Sequence, residues 1–145
     1  MTGVQTCALP IFYPFKTNLN IISYIGLFIS LLGILIESIA DHQKFVFKSK
    51  DINKGKFINT GIWKYSRHPN YLGEILMWFG IYIYCSVYLN SFAILTILSP
   101  IYITFLLVSV SGIPTLEKEY DRRYATDQKY LEYKDRTGVL FPKFF

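Results

Sequence analysis

The chain has 145 residues, of which 52% are hydrophobic, 18% aromatic and only 17% charged, with a net charge of +5. That balance excludes an ordinary soluble domain, and the cations sit beside apolar runs instead of forming the basic face of a nucleic-acid binder. Cys7 and Cys85 make no disulfide framework, and His42 and His68, without a Cys/His cluster, make no zinc site.

Residues 1–11, MTGVQTCALPI, match from their second position the translation of a widely used sequencing-library adapter, and a GTG start read as Met completes the match. They are expected to be an artefact and are set aside, because a signal peptide would need a basic start and a longer apolar run. On that reading, residues 12–145 are a fragment from the C-terminal part of a longer protein.

Leu19 to Ala40 carries a single charge, Glu37, over a length that suits the roughly 20 residues of a membrane span. Gly26, Ser30 and Gly33 recur at near-helical spacing and predict close approach by another helix. Asp41 to Arg67 is polar, with seven Lys/Arg against two acids, an excess that marks the cytoplasmic side. Within it, Glu37, Asp41, Lys44 and Lys48 fall at i, i+4, i+7 and i+11. The first helix is therefore predicted to continue out of the membrane with one charged face. Solvated ion pairs and a ligand-facing stripe fit that spacing equally.

The densest polar chemistry follows, in Gly61-Ile62-Trp63-Lys64-Tyr65-Ser66-Arg67-His68-Pro69-Asn70-Tyr71-Leu72-Gly73-Glu74. Pro69 is a natural first residue of a helix. If the register reaches back to Arg67, then Arg67, Asn70, Tyr71 and Glu74 form one stripe at i, i+3, i+4 and i+7.

Ile75 to Pro114 has no charged residue and is long enough for two spans that turn at Leu89-Asn90-Ser91, with Pro100 kinking the second. Tyr82, Tyr84, Tyr88 and Tyr102 read as interface or packing aromatics. The expected architecture is an all-α, polytopic membrane helical bundle of about three transmembrane helices. They cover about 19–40, 69–88 and 92–113, with a cytoplasmic loop 41–68 and a cytoplasmic tail 114–145. In the tail, Glu117, Asp121 and Tyr124 share a helical face at i, i+4 and i+7. This is either a helix lying on the membrane surface or, as favoured, a lid over the first two polar stripes.

A basic, aromatic-lined mouth at helix ends suits an anionic cofactor and an apolar substrate. The helix start at His68 to Tyr71 can hold phosphate, with Arg67 and Lys48 adding charge-assisted bonds. Tyr65 and Tyr71 can stack on a flat ring, and Glu74 can accept from an amide or ribose hydroxyl. No Gly-rich dinucleotide loop or P-loop is present.

RHPNYLGE after GxW, the upstream ESIADHQK and the downstream SGIPTLEKEY resemble the C-terminal domain of the steroid 5-alpha-reductase-like membrane reductases, above all their poorly characterised microbial branch. The likeness covers roughly Leu19 to Phe145. It implies a multi-pass enzyme that uses NADPH to reduce an activated carbon–carbon double bond of a membrane lipid or sterol-like substrate. By that resemblance Asp41, Asn70 and Glu74 contact the cofactor, with Tyr65, Arg67, His68 and Tyr71 in the same segment. Glu117 and Asp121 stand where the steroid enzymes use other polar residues, and Lys48 stands near family arginines. The family's substrate-polarising residues lie on upstream helices absent from this chain, so the catalytic residues stay unassigned here, with Tyr71 no more than a candidate among them. The chain is expected to be inactive alone.

A rival resemblance, through RHPxYxG and a tail ending Tyr-x-x-Tyr, is to the isoprenylcysteine carboxyl methyltransferases, with S-adenosylmethionine as cofactor. A lipid-binding module without catalysis is the non-enzymatic alternative. No metal and no nucleic acid are expected.

Overall fold

The computed structural model describes residues 20–87, 89 and 93–143. The stretch 1–11 and most of the 89–91 turn therefore lie outside the described residues. Helix α1 (Ile21–Ser49) is one unbroken rod of 29 residues, about 43 Å long at 1.5 Å per residue. Asn20 caps it, its side chain accepting from the Ser23 N–H at 3.1 Å. The apolar run and the charged extension beyond Ala40 are thus parts of a single helix.

Helix α2 (Pro69–Ser86) opens on Pro69 and runs antiparallel to α1. The two backbones touch along two rows of small residues, Gly26, Ser30 and Gly33 on α1 and Gly73 and Gly80 on α2, all buried. A Cβ on Gly80 would lie 2.3 Å from the Ser30 nitrogen, and one on Gly33 would lie 2.4 Å from that of Met77. Nothing larger than glycine fits at these crossings.

From residue 93 the chain changes helical geometry three times. A 3-10 turn (Ala93–Ile97) leads into α3 (Leu98–Phe105), then a π-helical turn (Leu106–Val110), and after Ser111-Gly112 comes α4 (Ile113–Arg123). Pro100 falls in the first turn of α3, where its missing N–H costs nothing. The larger distortion is the π turn, in which the Ser111 N–H donates five residues back to the Leu106 carbonyl at 2.9 Å.

Two helical stretches, Ile21–Ser49 and Ile94–Arg123, are long and apolar enough to cross a bilayer, each holding an 18-residue window with a mean hydropathy of 2.1. They suggest a membrane protein. Over its described residues helix α2 falls short of that measure, because its first two turns carry Asn70, Tyr71 and Glu74, and it packs along α1.

The remaining residues build a polar cap at one end of the α1–α2 pair. The connection from Lys50 returns to α2 and receives α4, α5 (Gln128–Arg136) and the closing segment. Asp127 starts α5 by accepting from the Lys129 N–H at 3.0 Å. The Phe57 ring packs on Tyr124, Tyr130 and Tyr133 at centroid distances of 5.5, 5.3 and 5.3 Å. Ser66 and Gly138 form one parallel bridge, and the described residues contain no strand. The architecture is an all-α helical bundle.

Candidate functional site

Polar side chains gather in two places where α1 and α2 meet the cap. The first is a mouth between the helices. Gly73 presses against Glu37, since a Cβ there would lie 2.6 Å from the Glu37 nitrogen, and this sets Glu74 beside the α1 acids. Asp41 and Glu74 stand within electrostatic range of each other and of both Glu37 and Tyr71. The Trp78 indole stands within interaction range of the Glu74 carboxylate, one turn further along α2. Asn70 lies one turn before Glu74, half-buried, whereas Asp41 is exposed. Lys44 lies over the Trp63 ring, its Nζ 4.9 Å from the centroid, and Lys48 is exposed one turn beyond.

The second gathering is a clamp between the Trp63–His68 segment and the tail. Arg67 does not continue α2. His68 adopts φ −137° and ψ 60° ahead of Pro69, outside the helical register. Arg67 therefore turns to the tail, where Nη1 donates to the Lys134 carbonyl at 2.9 Å and Nη2 pairs with Glu117 Oε2 at 3.1 Å. His68 is 2% exposed and its Nε2 lies 2.8 Å from Glu117 Oε1. Burial opposes ionisation of Glu117. The His68 hydrogen bond and the Arg67 and Lys134 charges outweigh it and hold the carboxyl below the usual carboxylate range.

Asp121 accepts from Lys134 and, at 3.0 Å, from the Tyr130 hydroxyl. The lysine hydrogen bond holds its carboxyl low as well. Burial, and then the Asp121 hydrogen bond, push the Tyr130 phenol well above its ordinary value. The backbone completes the clamp: Arg67 and His68 N–H donate to the Gly138 and Val139 carbonyls at 2.9 and 3.1 Å, and the Tyr133 hydroxyl donates to the Trp63 carbonyl at 2.6 Å.

The expected site residues thus divide. Asp41, Asn70, Tyr71 and Glu74 frame the mouth, with Lys48 exposed further along α1. Arg67 and His68 are engaged with Glu117, Asp121 is engaged with Lys134 and Tyr130, and Tyr65 lies exposed under Lys64, whose Nζ is 4.6 Å from the ring centroid. One contact joins the two groups: the His68 and Tyr71 rings lie parallel, 5.7 Å between centroids and 9° between planes.

Three residues outside the expected site set, Glu37, Trp63 and Gln43, hold the mouth. Glu37 had a signal, its i,i+4 spacing to Asp41. Trp63, 2% exposed, donates its indole N–H to the Ala40 carbonyl at 3.0 Å and so fixes the cap to α1 where the charged face begins. Gln43 accepts from the Ile62 N–H at 3.0 Å and fills the space beside Gly61, whose φ of +61° favours glycine. Neither pairing had a local pattern to betray it.

Residues 4–137 match the family described as protein of unknown function DUF1295. The match begins inside the stretch read as an adapter. An uncharacterized protein of Schizosaccharomyces pombe, C594.04c, is 30% identical over 98 residues, which cover 67% of this chain and 27% of that protein. The chain thus corresponds to little more than a quarter of the relative's length. No solved structure matches significantly. With nearly its whole length matched, the chain belongs to the DUF1295 family of steroid 5-alpha-reductase-like membrane proteins.

Proposed function

We propose that this chain is the nucleotide-holding end of a multi-pass membrane reductase that uses NADPH to reduce an activated C=C bond of a lipid or sterol-like substrate. One observation carries the reading. The antiparallel α1–α2 contact brings Glu37 and Asp41 together with Tyr71 and Glu74, four residues from two distant segments, at the polar end of an apolar pair.

The donor set fits part of such a cofactor. Carboxylates and the Asn70 amide accept from a carboxamide or ribose hydroxyls, and Tyr71 offers a flat face. Phosphates fall to the exposed Lys48 at the end of α1, because Arg67 is spent on Glu117 and the tail. When bound, NADPH supplies the hydride. Residues of this chain hold and orient it, while groups that polarise the substrate belong to helices upstream, as the resemblance implies. In this reading the basic loop and the tail face the cytoplasm, consistent with the lysine excess of the loop.

A second reading has its own support. A mouth lined by Glu37, Asp41 and Glu74 also suits the sulfonium of S-adenosylmethionine. Titration of the chain, reconstituted in nanodiscs, with each cofactor decides between them. Saturable NADPH binding, weakened about tenfold by Glu74→Gln through loss of a charged hydrogen bond, supports the reductase. Saturable S-adenosylmethionine binding without NADPH binding overturns it, and binding of neither with retained lipid binding points to a non-catalytic module.

A further inference from the structure

We propose that Glu117 is a positioning residue, which sets the orientation of Tyr71 through the His68 ring and so connects the tail helix α4 to the mouth. Both oxygens of its carboxylate are engaged, Oε1 with His68 Nε2 at 2.8 Å and Oε2 with Arg67 Nη2 at 3.1 Å. The His68 ring is held at its other end too. Its backbone N–H donates to Val139 O at 3.1 Å and to Ser66 Oγ at 3.2 Å, and the residue is 2% exposed. A buried ring fixed at its backbone and at Nε2 has little freedom to rotate.

That ring lies parallel to Tyr71 at 5.7 Å and 9°, an offset-stacked arrangement. Tyr71 in turn stands within electrostatic range of Asp41 on α1 and of Glu74 on its own helix. The path from α4 to the mouth is therefore two contacts long. Val139 meets His68 only at its backbone N–H, and two further tail contacts end elsewhere: the Tyr133 hydroxyl reaches the Trp63 carbonyl and the Thr137 hydroxyl reaches the Lys64 carbonyl at 3.4 Å, and neither involves the His68 ring or Tyr71. The tail thus has a part that holds and a part that orients. What Tyr71 is oriented for rests on the reductase reading; that Glu117 orients it does not.

The experiment compares two ways of loosening the same tail. The full chain, carrying 3-fluorotyrosine at position 71 and reconstituted in nanodiscs, is examined by fluorine NMR as wild type, Glu117→Gln and Tyr133→Phe. Glu117→Gln is expected to shift or split the Tyr71 resonance. Tyr133→Phe should leave it in place despite a comparable loss of thermal stability. A Tyr71 resonance that stays put in Glu117→Gln, or moves as far in Tyr133→Phe, overturns the proposal. If Glu117→Gln does not fold, Glu117→Asp replaces it; a smaller shift supports the proposal and no shift overturns it. In a parallel NADPH titration, Glu117→Gln is expected to bind about tenfold more weakly, because a Tyr71 ring no longer held in place must be ordered on binding. A wild-type chain that binds no NADPH defeats the reductase reading and leaves the resonance comparison to decide on Glu117.

Discussion

At Gly80 the α2 backbone touches the α1 backbone near Ser30, with no side chain between them. Some distance away, in the cap, Phe57 is surrounded by three tyrosine rings, and Arg67, His68 and Glu117 share hydrogen bonds and charge. One region is held by what its residues lack and the other by what they carry. Contacts between small residues and backbone involve no titratable group, so protonation cannot loosen them. Contacts between ions and phenols respond to protonation and to removal of single atoms. The difference predicts that the helix pair fails all at once and the cap by degrees.

The strongest way to break the contrast is to put bulk into the pair. Gly80→Val places carbon atoms where the Ser30 nitrogen already lies 2.3 Å from a Cβ position. Overpacking commonly costs 1–3 kcal/mol, and with backbone on both sides more than about 3 kcal/mol is expected. Disulfide cross-linking of cysteines introduced across α1 and α2 should disappear.

Next is the clamp. Arg67→Met leaves Glu117 without its guanidinium and should cost about 3 kcal/mol. It should open the link between α4 and α5 to limited proteolysis while the α1–α2 cross-link persists. Trp63→Phe removes the indole donor to the Ala40 carbonyl and should cost about 1–2 kcal/mol in thermal unfolding.

Acid sharpens the same contrast without mutation. Glu117 and Asp121 have folded-state pKa values below their unfolded ones. The stability they contribute is complete above about pH 4, the ordinary carboxylate value, and is lost as pH falls through the lower folded values. Tail docking, followed by protease sensitivity, should therefore weaken below about pH 4 while the helix pair stays closed. The smallest effect belongs to Lys64→Gln, which removes an exposed cation from above Tyr65 and should change stability by less than about 1 kcal/mol.

What could be read from sequence was local. The span, its charged continuation and the Gly26, Ser30, Gly33 row depend on periodicity within one helix, and each has a counterpart in α1. Pro69 marked the start of α2 for the same reason. Pairings between distant segments were illegible: nothing near Glu117 points to His68, 49 residues away. Nor does the seven-residue spacing of Gly73 and Gly80 say which helix will meet them. The stripe drawn from Arg67 to Glu74 shows the limit most clearly. Its spacing was sound, but the restraint that Pro69 places on His68 turned Arg67 off the helix and toward the tail.

Helix α1 acts as a ruler. It is one rod from Ile21 to Ser49, with α2 locked to it by backbone contact and the cap hooked to its Ala40 carbonyl by Trp63. The height of Asp41 and Glu74 above the apolar run is therefore a constant of the molecule. In a thicker or thinner bilayer the pair cannot slide to compensate and must tilt as one body. The mouth would then change its angle to the membrane surface while keeping its shape.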